Sequence, residues 1–249
     1  LYENEKYEEA FKVIDDAYTE VRKQGKKPRM WQGPSRNNMI TWTEIQDFAK
    51  NGHEFGSHTI SHPRLAVLDE VNMLYELEKC KEEIAKKLGP DHTFSAECPF
   101  GTENERVMEY AYKVHPALRN RMPETFLEEI NRWSDMTPGM SDKPYVQWQR
   151  GPLAKTSVPL MKSWVDTVAA HQNQSLVLVF HGVDSVGWEA LPSKLLREYF
   201  TYIKDQEGDL WVAPFWDVTK YVRERMNANI TESEERGKLV VDITHTLDT

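Results

Sequence analysis

The chain sets two histidines four residues apart, His58-Thr-Ile-Ser-His62, directly after a run, residues 53–59, that reads as a strand. Two imidazoles at i and i+4 can share one metal ion. A pair at this spacing arises by chance in about one chain in four of this length and histidine content, so the surroundings carry the weight. Gly52 and Gly56 punctuate the strand, and Pro63 steers His62 away from helical geometry. The pair therefore falls on a turn at a strand end, where parallel βα folds gather their sites. Two histidines satisfied by ordinary hydrogen bonds are the alternative.

His181 follows Leu176-Val-Leu-Val-Phe180, an unbroken apolar run that reads as the most buried strand of the chain. A titratable group at the C-terminal end of such a strand is placed for acid–base chemistry; a histidine that only closes the strand is the alternative. Gly182 lets backbone or ligand come close. Cys98-Pro-Phe-Gly101 forms a rigid turn after residues 93–98, able to wall a groove. Trp148, Asp166, Asp184 and Trp188 are further candidates. Aromatic faces beside a polar site can carry sugar rings, although most tryptophans are core.

The elements that must position these residues alternate in type. Helical periodicity covers residues 2–24, 67–88, 103–114, 158–172, 192–206 and 216–227, with Val67, Val71, Leu74, Leu77, Ile84 and Leu88 on one face of the second. Thr41-Trp-Thr-Glu has capping-box spacing before a short helix over 44–50. Strands are expected at 29–32, 53–59, 93–98, 145–149, 175–180 and 210–213, a weak one at 117–122, and loop with a short helix over 123–143. This alternation predicts an α/β fold with a parallel sheet, either doubly wound or a barrel. Residues 228–237 read as a polar linker, and 238–247 as the first strand of a following β domain.

Composition excludes several classes. The 249 residues, 39% hydrophobic with 8 Trp, 10 Tyr and 9 Phe, can bury a full core. The longest apolar run is five residues, Leu176–Phe180, far below the ~20 of a membrane span. The net charge of −9, with scattered basic residues, argues against nucleic acid. Cys80 and Cys98 are either one bridge or two buried thiols.

The stretch Gly52-His-Glu-Phe-Gly-Ser-His-Thr-Ile-Ser-His-Pro-Arg-Leu65 resembles the second motif of the polysaccharide deacetylase family (carbohydrate esterase family 4, the chitooligosaccharide deacetylase homology domain). Leu178-Val-Phe-His181 resembles its fifth motif, and Pro99-Phe-Gly101 the end of its third. The resemblance spans residues 1–227 and implies a deformed (β/α) barrel over them, with residues 228–249 as linker and strand. It implies metal-dependent hydrolysis of N- or O-acetyl groups on a polysaccharide or oligosaccharide, at the cell envelope or outside the cell. His58 and His62 would be ligands of a divalent metal, zinc in many members, and His181 the general acid. Pro99, Phe100, Gly101 and Trp188 would bind substrate.

Three departures stand out. The family's Asp-Asp motif, which supplies the base and a third ligand, is missing; Asp15-Asp16 has the letters but falls mid-helix. Glu97 occupies the third motif's arginine position, and no clear fourth motif is present. The barrel is thus expected to lack its first strand here, either because that strand lies upstream of Leu1 or because the protein is a degenerate member. The alternatives to deacetylation are a non-catalytic carbohydrate-binding member and a relative that hydrolyses a non-peptide C–N bond in a small cyclic amide. The acidic balance predicts weak binding of a polyuronate at physiological salt, checked by equilibrium binding across ionic strength; tight binding would contradict it.

Overall fold

Side-chain caps open several of the helices in the computed structural model, which describes residues 6–25, 40–151 and 153–247. Packing groups the chain into two units, Leu1–Pro123 and Glu124–Thr249. In the first, helix α1 (Tyr7–Lys23) stops before Gly25, whose φ is +64°. Helix α2 (Trp42–Lys50) begins two residues earlier than expected because Thr41 is its N-cap. Thr41 N donates to Glu44 Oε2 at 2.7 Å and Glu44 N donates to Thr41 Oγ1 at 3.3 Å, closing the capping box. Asp69 caps helix α3 (Glu70–Leu88), and Asn104 caps helix α4 (Glu105–Val114).

Strands β1 (Ser95–Ala96) and β2 (Ala117–Leu118) pair in parallel, and Ser57 bridges Ala96 on the other side of β1, also in parallel. The strand expected over 53–59 is thus reduced to one bridge. A two-residue partner, bounded by a 3-10 turn at Pro90–Thr93 and by Pro99, offers nothing longer to pair with. The strand expected at 29–32 lies outside the described residues. Leu65, Leu68, Met73, Leu77, Ala96, Val107, Ala111 and Leu118 form the core of this unit. Helix α3 buries Met73, Glu76, Leu77 and Ile84, while Val71, expected on the buried face, is exposed.

Helices α1 and α3 meet through polar side chains. Buried Asn72 donates to Asp15 Oδ1 and Thr19 Oγ1 at 2.8 Å each, and Arg22 donates to Asn72 Oδ1 at 3.0 Å. Asp15 also accepts from Asp69 N at 3.0 Å, and Asp16 pairs with Lys12 on the surface. Both aspartates therefore serve helix packing and surface pairing, as their mid-helix position implied.

In the second unit, β3 (Leu127–Ile130), β4 (Tyr145–Arg150) and β5 (Gln174–Leu178) form a parallel sheet in the order β3-β4-β5. Helix α5 (Val158–Ala169) lies between β4 and β5 in sequence. Helices α6 (Ser193–Lys204) and α7 (Phe215–Asn227) follow. Strand β3 falls where loop was expected; Leu-Glu-Glu-Ile has neither the length nor the alternation that marks a strand. Five consecutive residues of β4, Tyr145 to Gln149, are buried, whereas every residue of β5 is half-buried. The apolar run at Leu176–Phe180 is therefore not the most buried strand: its first three residues end β5, which among the described residues pairs with β4 alone. Residues 210–213 pair with no strand among the described residues, and Trp211 and Val212 are exposed. Ile130, Val146, Trp148, Met161, Trp164, Val165 and Tyr199 fill the core.

The tail differs from the linker expected. Residues 229–235 are themselves a strand, β6 (Asn229–Glu235), paired antiparallel with β7 (Lys238–Thr244). Arg236 and Gly237, with φ of 52° and 74°, make the two-residue turn whose twist suits a hairpin. The α/β class holds, with parallel sheets of two and three strands, but the described residues close no barrel. Both cysteines are free thiols. Among the described residues no helix is long and apolar enough to cross a membrane.

His115, which caps α4, is fully buried and bonds Thr93 O through Nδ1 at 2.9 Å. A carbonyl only accepts, so Nδ1 carries the proton of a neutral ring. Burial lowers its pKa to about 4. The unfolded chain takes up this proton near pH 6.5 and the folded chain does not, so the contribution is complete above pH 6.5 and is lost as pH falls toward 4. The expected loss is about 3 kcal/mol. Denaturant midpoints for the wild type and His115→Gln, compared between pH 7 and pH 4, should differ by this share of the acid destabilisation.

Candidate functional site

The turn that carries His58 and His62 is built from three directions. Ser57 N donates to Ser95 O at 3.0 Å and Glu97 N donates to Ser57 O at 2.9 Å, which fixes the end of the segment against β1. Gly56 makes the approach possible: a Cβ there would lie 2.9 Å from Ser95 Oγ and 3.2 Å from Ser95 O. The chain then turns sharply, with Thr59 at φ 66° and His62 at φ 60°. Left-handed backbone at a β-branched threonine is rare and costs on the order of 1–3 kcal/mol.

That turn brings the two imidazoles together, with ring centroids 4.8 Å apart and planes at 68°. His58 Nδ1 lies 2.8 Å from Glu97 O, so Nδ1 is the donor and Nε2 is the ring nitrogen that bond does not use. Burial, then the neighbouring His58 ring, lowers the pKa of His62 and favours its neutral form. Two imidazoles with a backbone carbonyl behind one of them are the donor chemistry a zinc ion takes. The pair fits such an ion as two of its ligands. No group of three His, Cys, Asp or Glu residues placed to hold a metal occurs among the described residues.

The Pro99–Gly101 turn borders the pair. Pro99 is buried, while Phe100, at φ 63°, is 55% exposed and meets the His62 ring edge-to-face at 4.7 Å. The Arg64 guanidinium lies 4.3 Å from the centre of the Phe100 ring, a stacked cation–π contact. Gly101 (φ +63°) completes the turn. Glu97 bonds Arg119, which follows β2, through both Nε and Nη2 of its guanidinium. The acidic residue just past β1 is thus matched by an arginine just past β2.

Sequence reasoning missed Glu76. This α3 residue is fully buried, and its Oε2 accepts from Ile60 N and Ser61 N at 2.9 Å each. Its Oε1 accepts from Ser61 Oγ at 2.8 Å. A carboxylate spaced three residues from Met73 and one from Leu77 on a buried stripe was the available signal. Candidates elsewhere fall away. Asp166 accepts from the Tyr202 hydroxyl, and Trp148 is core.

His181 belongs to the second unit, three residues past β5. The loop after it is tightly built. Asp184 and Ser185, with φ of 49° and 69°, turn the chain so that Val183 and Val186 exchange hydrogen bonds of 3.0 and 2.9 Å. Asp184 also accepts from Ser193 N at 2.7 Å, and Leu191 N donates to Gly182 O at 3.0 Å. The loop returns Trp188, 56% exposed, edge-on to the His181 ring at a centroid distance of 4.6 Å. Two of the expected site residues thus meet here, as His58, His62 and Phe100 do in the first unit.

Comparison with known families matches residues 23–115 to the model described as Polysaccharide deacetylase. No significant match was found among curated proteins or solved structures. The matched segment contains His58, His62, Pro99, Phe100 and Gly101; His181 and Trp188 lie beyond it and stand on their own geometry. Gly182 is the residue that geometry depends on most, since a Cβ there would sit 2.3 Å from Val186 O and 3.0 Å from Ala190 Cβ. Gly182→Ala should therefore destabilise the loop by about 1–3 kcal/mol, seen as a lower unfolding midpoint together with loss of the His181–Trp188 ring-current shift in NMR spectra.

Proposed function

We propose that this chain, whose residues 23–115 match the polysaccharide deacetylase family model, is a metal-dependent hydrolase that removes N- or O-linked acetyl groups from a polysaccharide or oligosaccharide. The observation that carries the reading is the pair of imidazoles, His58 and His62, with ring centroids 4.8 Å apart inside the matched segment and a backbone carbonyl behind His58. They would hold a divalent ion, zinc being the one these donors suit. When bound, that ion supplies Lewis-acid polarisation of the acetyl carbonyl.

The remaining chemistry falls to side chains. Hydrolysis breaks the bond between the acetyl carbon and the sugar nitrogen or oxygen; the oxygen of water leaves in acetate, and the departing amine or alkoxide needs a proton. In this reading His181 gives that proton from a ring N–H, and the edge-on Trp188 keeps the ring oriented. Phe100, with Pro99 and Gly101 beside it, offers an apolar face to a sugar ring. The family's deformed (β/α) barrel over residues 1–227, an acetylated carbohydrate partner and a place at the cell envelope or outside the cell belong to the same reading.

One observation favours a second reading: no third acidic or histidine ligand joins the pair among the described residues. The protein would then bind carbohydrate without hydrolysing it. Zinc analysis and acetate release, measured together on N- and O-acetylated glycans, separate the two. Deacetylation predicts stoichiometric zinc, its loss in His58→Ala, and a fall in kcat of about 10²–10⁴-fold in His181→Ala with zinc retained. Glycan binding without acetate release by the zinc-loaded wild type would decide for the second.

A further inference from the structure

We infer that Glu76 is a positioning residue for the histidine pair: from the interior it holds the turn over residues 59–61 in the shape that sets the His58 and His62 rings side by side, an inference resting on the metal-site reading above. Three residues separate the two histidines, and the middle and last of them, Ile60 and Ser61, aim their backbone N–H groups at one oxygen, Glu76 Oε2, at 2.9 Å each. Successive N–H groups on a sharp turn form a concave seat for an anion. Here the seat faces inward and the chain fills it with its own carboxylate.

The backbone on either side explains why an anchor is needed. Thr59 and His62 both lie in the left-handed region, at φ 66° and 60°. Neither is a glycine, and such a conformation persists only where the surroundings impose it. Glu76 imposes it through three hydrogen bonds, the third from Ser61 Oγ at 2.8 Å. Because a carboxylate only accepts, the Ser61 hydroxyl spends its proton on Glu76, so Tyr18 OH donates to Ser61 Oγ at 2.8 Å. Helix α1, the turn and helix α3 are joined in one line of donors.

A residue present only to fill space at this position would be better as Met or Leu, since burying a carboxylate opposes folding unless its hydrogen bonds are met. The glutamate is therefore accounted for by what it orients. Its amide isostere can do the same work: the carbonyl of Gln takes both N–H groups, its NH₂ donates to Ser61 Oγ, and Ser61 then donates to Tyr18. Methionine fills the volume and accepts nothing. Aspartate keeps the charge but is one methylene too short to reach the turn.

The test uses the full chain with three variants, Glu76→Met, Glu76→Gln and Glu76→Asp. Zinc affinity is measured by calorimetry. Amide exchange at Ile60 and Ser61, and the NOE between the His58 and His62 rings, are measured in metal-free protein. Glu76→Met is expected to keep a cooperative unfolding transition yet lose protection at both amides, lose the inter-ring NOE and bind zinc at least about tenfold more weakly. Glu76→Gln should stay within about threefold of the wild type. Should Glu76→Met fail to fold, Glu76→Asp must show the same losses. A folded Glu76→Met or Glu76→Asp with wild-type exchange, ring contact and zinc affinity overturns the inference. A wild type that binds no zinc sinks the metal reading alone, and Glu76 is then judged, for or against, by exchange and ring contact in the metal-free variants.

Discussion

The parallel pairing that runs from Ser57 through β1 to β2 is the constraint on which the first unit's site depends. It is short, and every bond in it is used. Ser57 N donates to Ser95 O at 3.0 Å, Glu97 N donates to Ser57 O at 2.9 Å, and Arg119 N donates to Ala96 O at 2.9 Å. Because the three segments run the same way, the residues just past each pairing point, His58, Glu97 and Arg119, emerge on one edge. Parallel strands concentrate side chains at their C-terminal ends in this manner. The same backbone that pairs the strands also fixes the tautomer of His58, through Glu97 O.

An ion pair closes this edge: Glu97, just past β1, is bound by Arg119, just past β2. The ion pair is partly sheltered, with 16% of the Arg119 side chain and 33% of that of Glu97 exposed. Losing either partner would leave the other charge poorly solvated, which is far more costly than losing an exposed pair.

Much of this was legible in the sequence where a local rule suffices. Thr41 and Glu44 announce the start of α2, and Pro63 announces that His62 is not helical. Gly182 marks a close approach, which the structure shows at Val186 O and Ala190 Cβ. What escaped depends on partners distant in the chain. Glu76 lies 15 and 16 residues from the amides it serves, on a helix whose apolar spacing alone was being read. Strand β3 has no alternation of its own and exists because β4 pairs with it. The run 176–180 has the letters of a central strand, yet only its neighbours decide whether a strand is central, and β5 has one among the described residues. Asp166 and Trp148 look available for chemistry until Tyr202 and the core claim them.

The terminal hairpin has a consequence of a different kind. Register places Ile230, Ile243, Val241 and Leu239 on one face, and Glu232 and Glu234 lie on that same face, opposite Val241 and Leu239. All six are solvent-exposed. An apolar two-stranded ribbon with open edges is a template for stacking copies of itself. The two carboxylates turn that template against itself, since every copy laid on this face brings like charges together. Charged and apolar side chains on one exposed face thus act in opposite senses on any copy that approaches it.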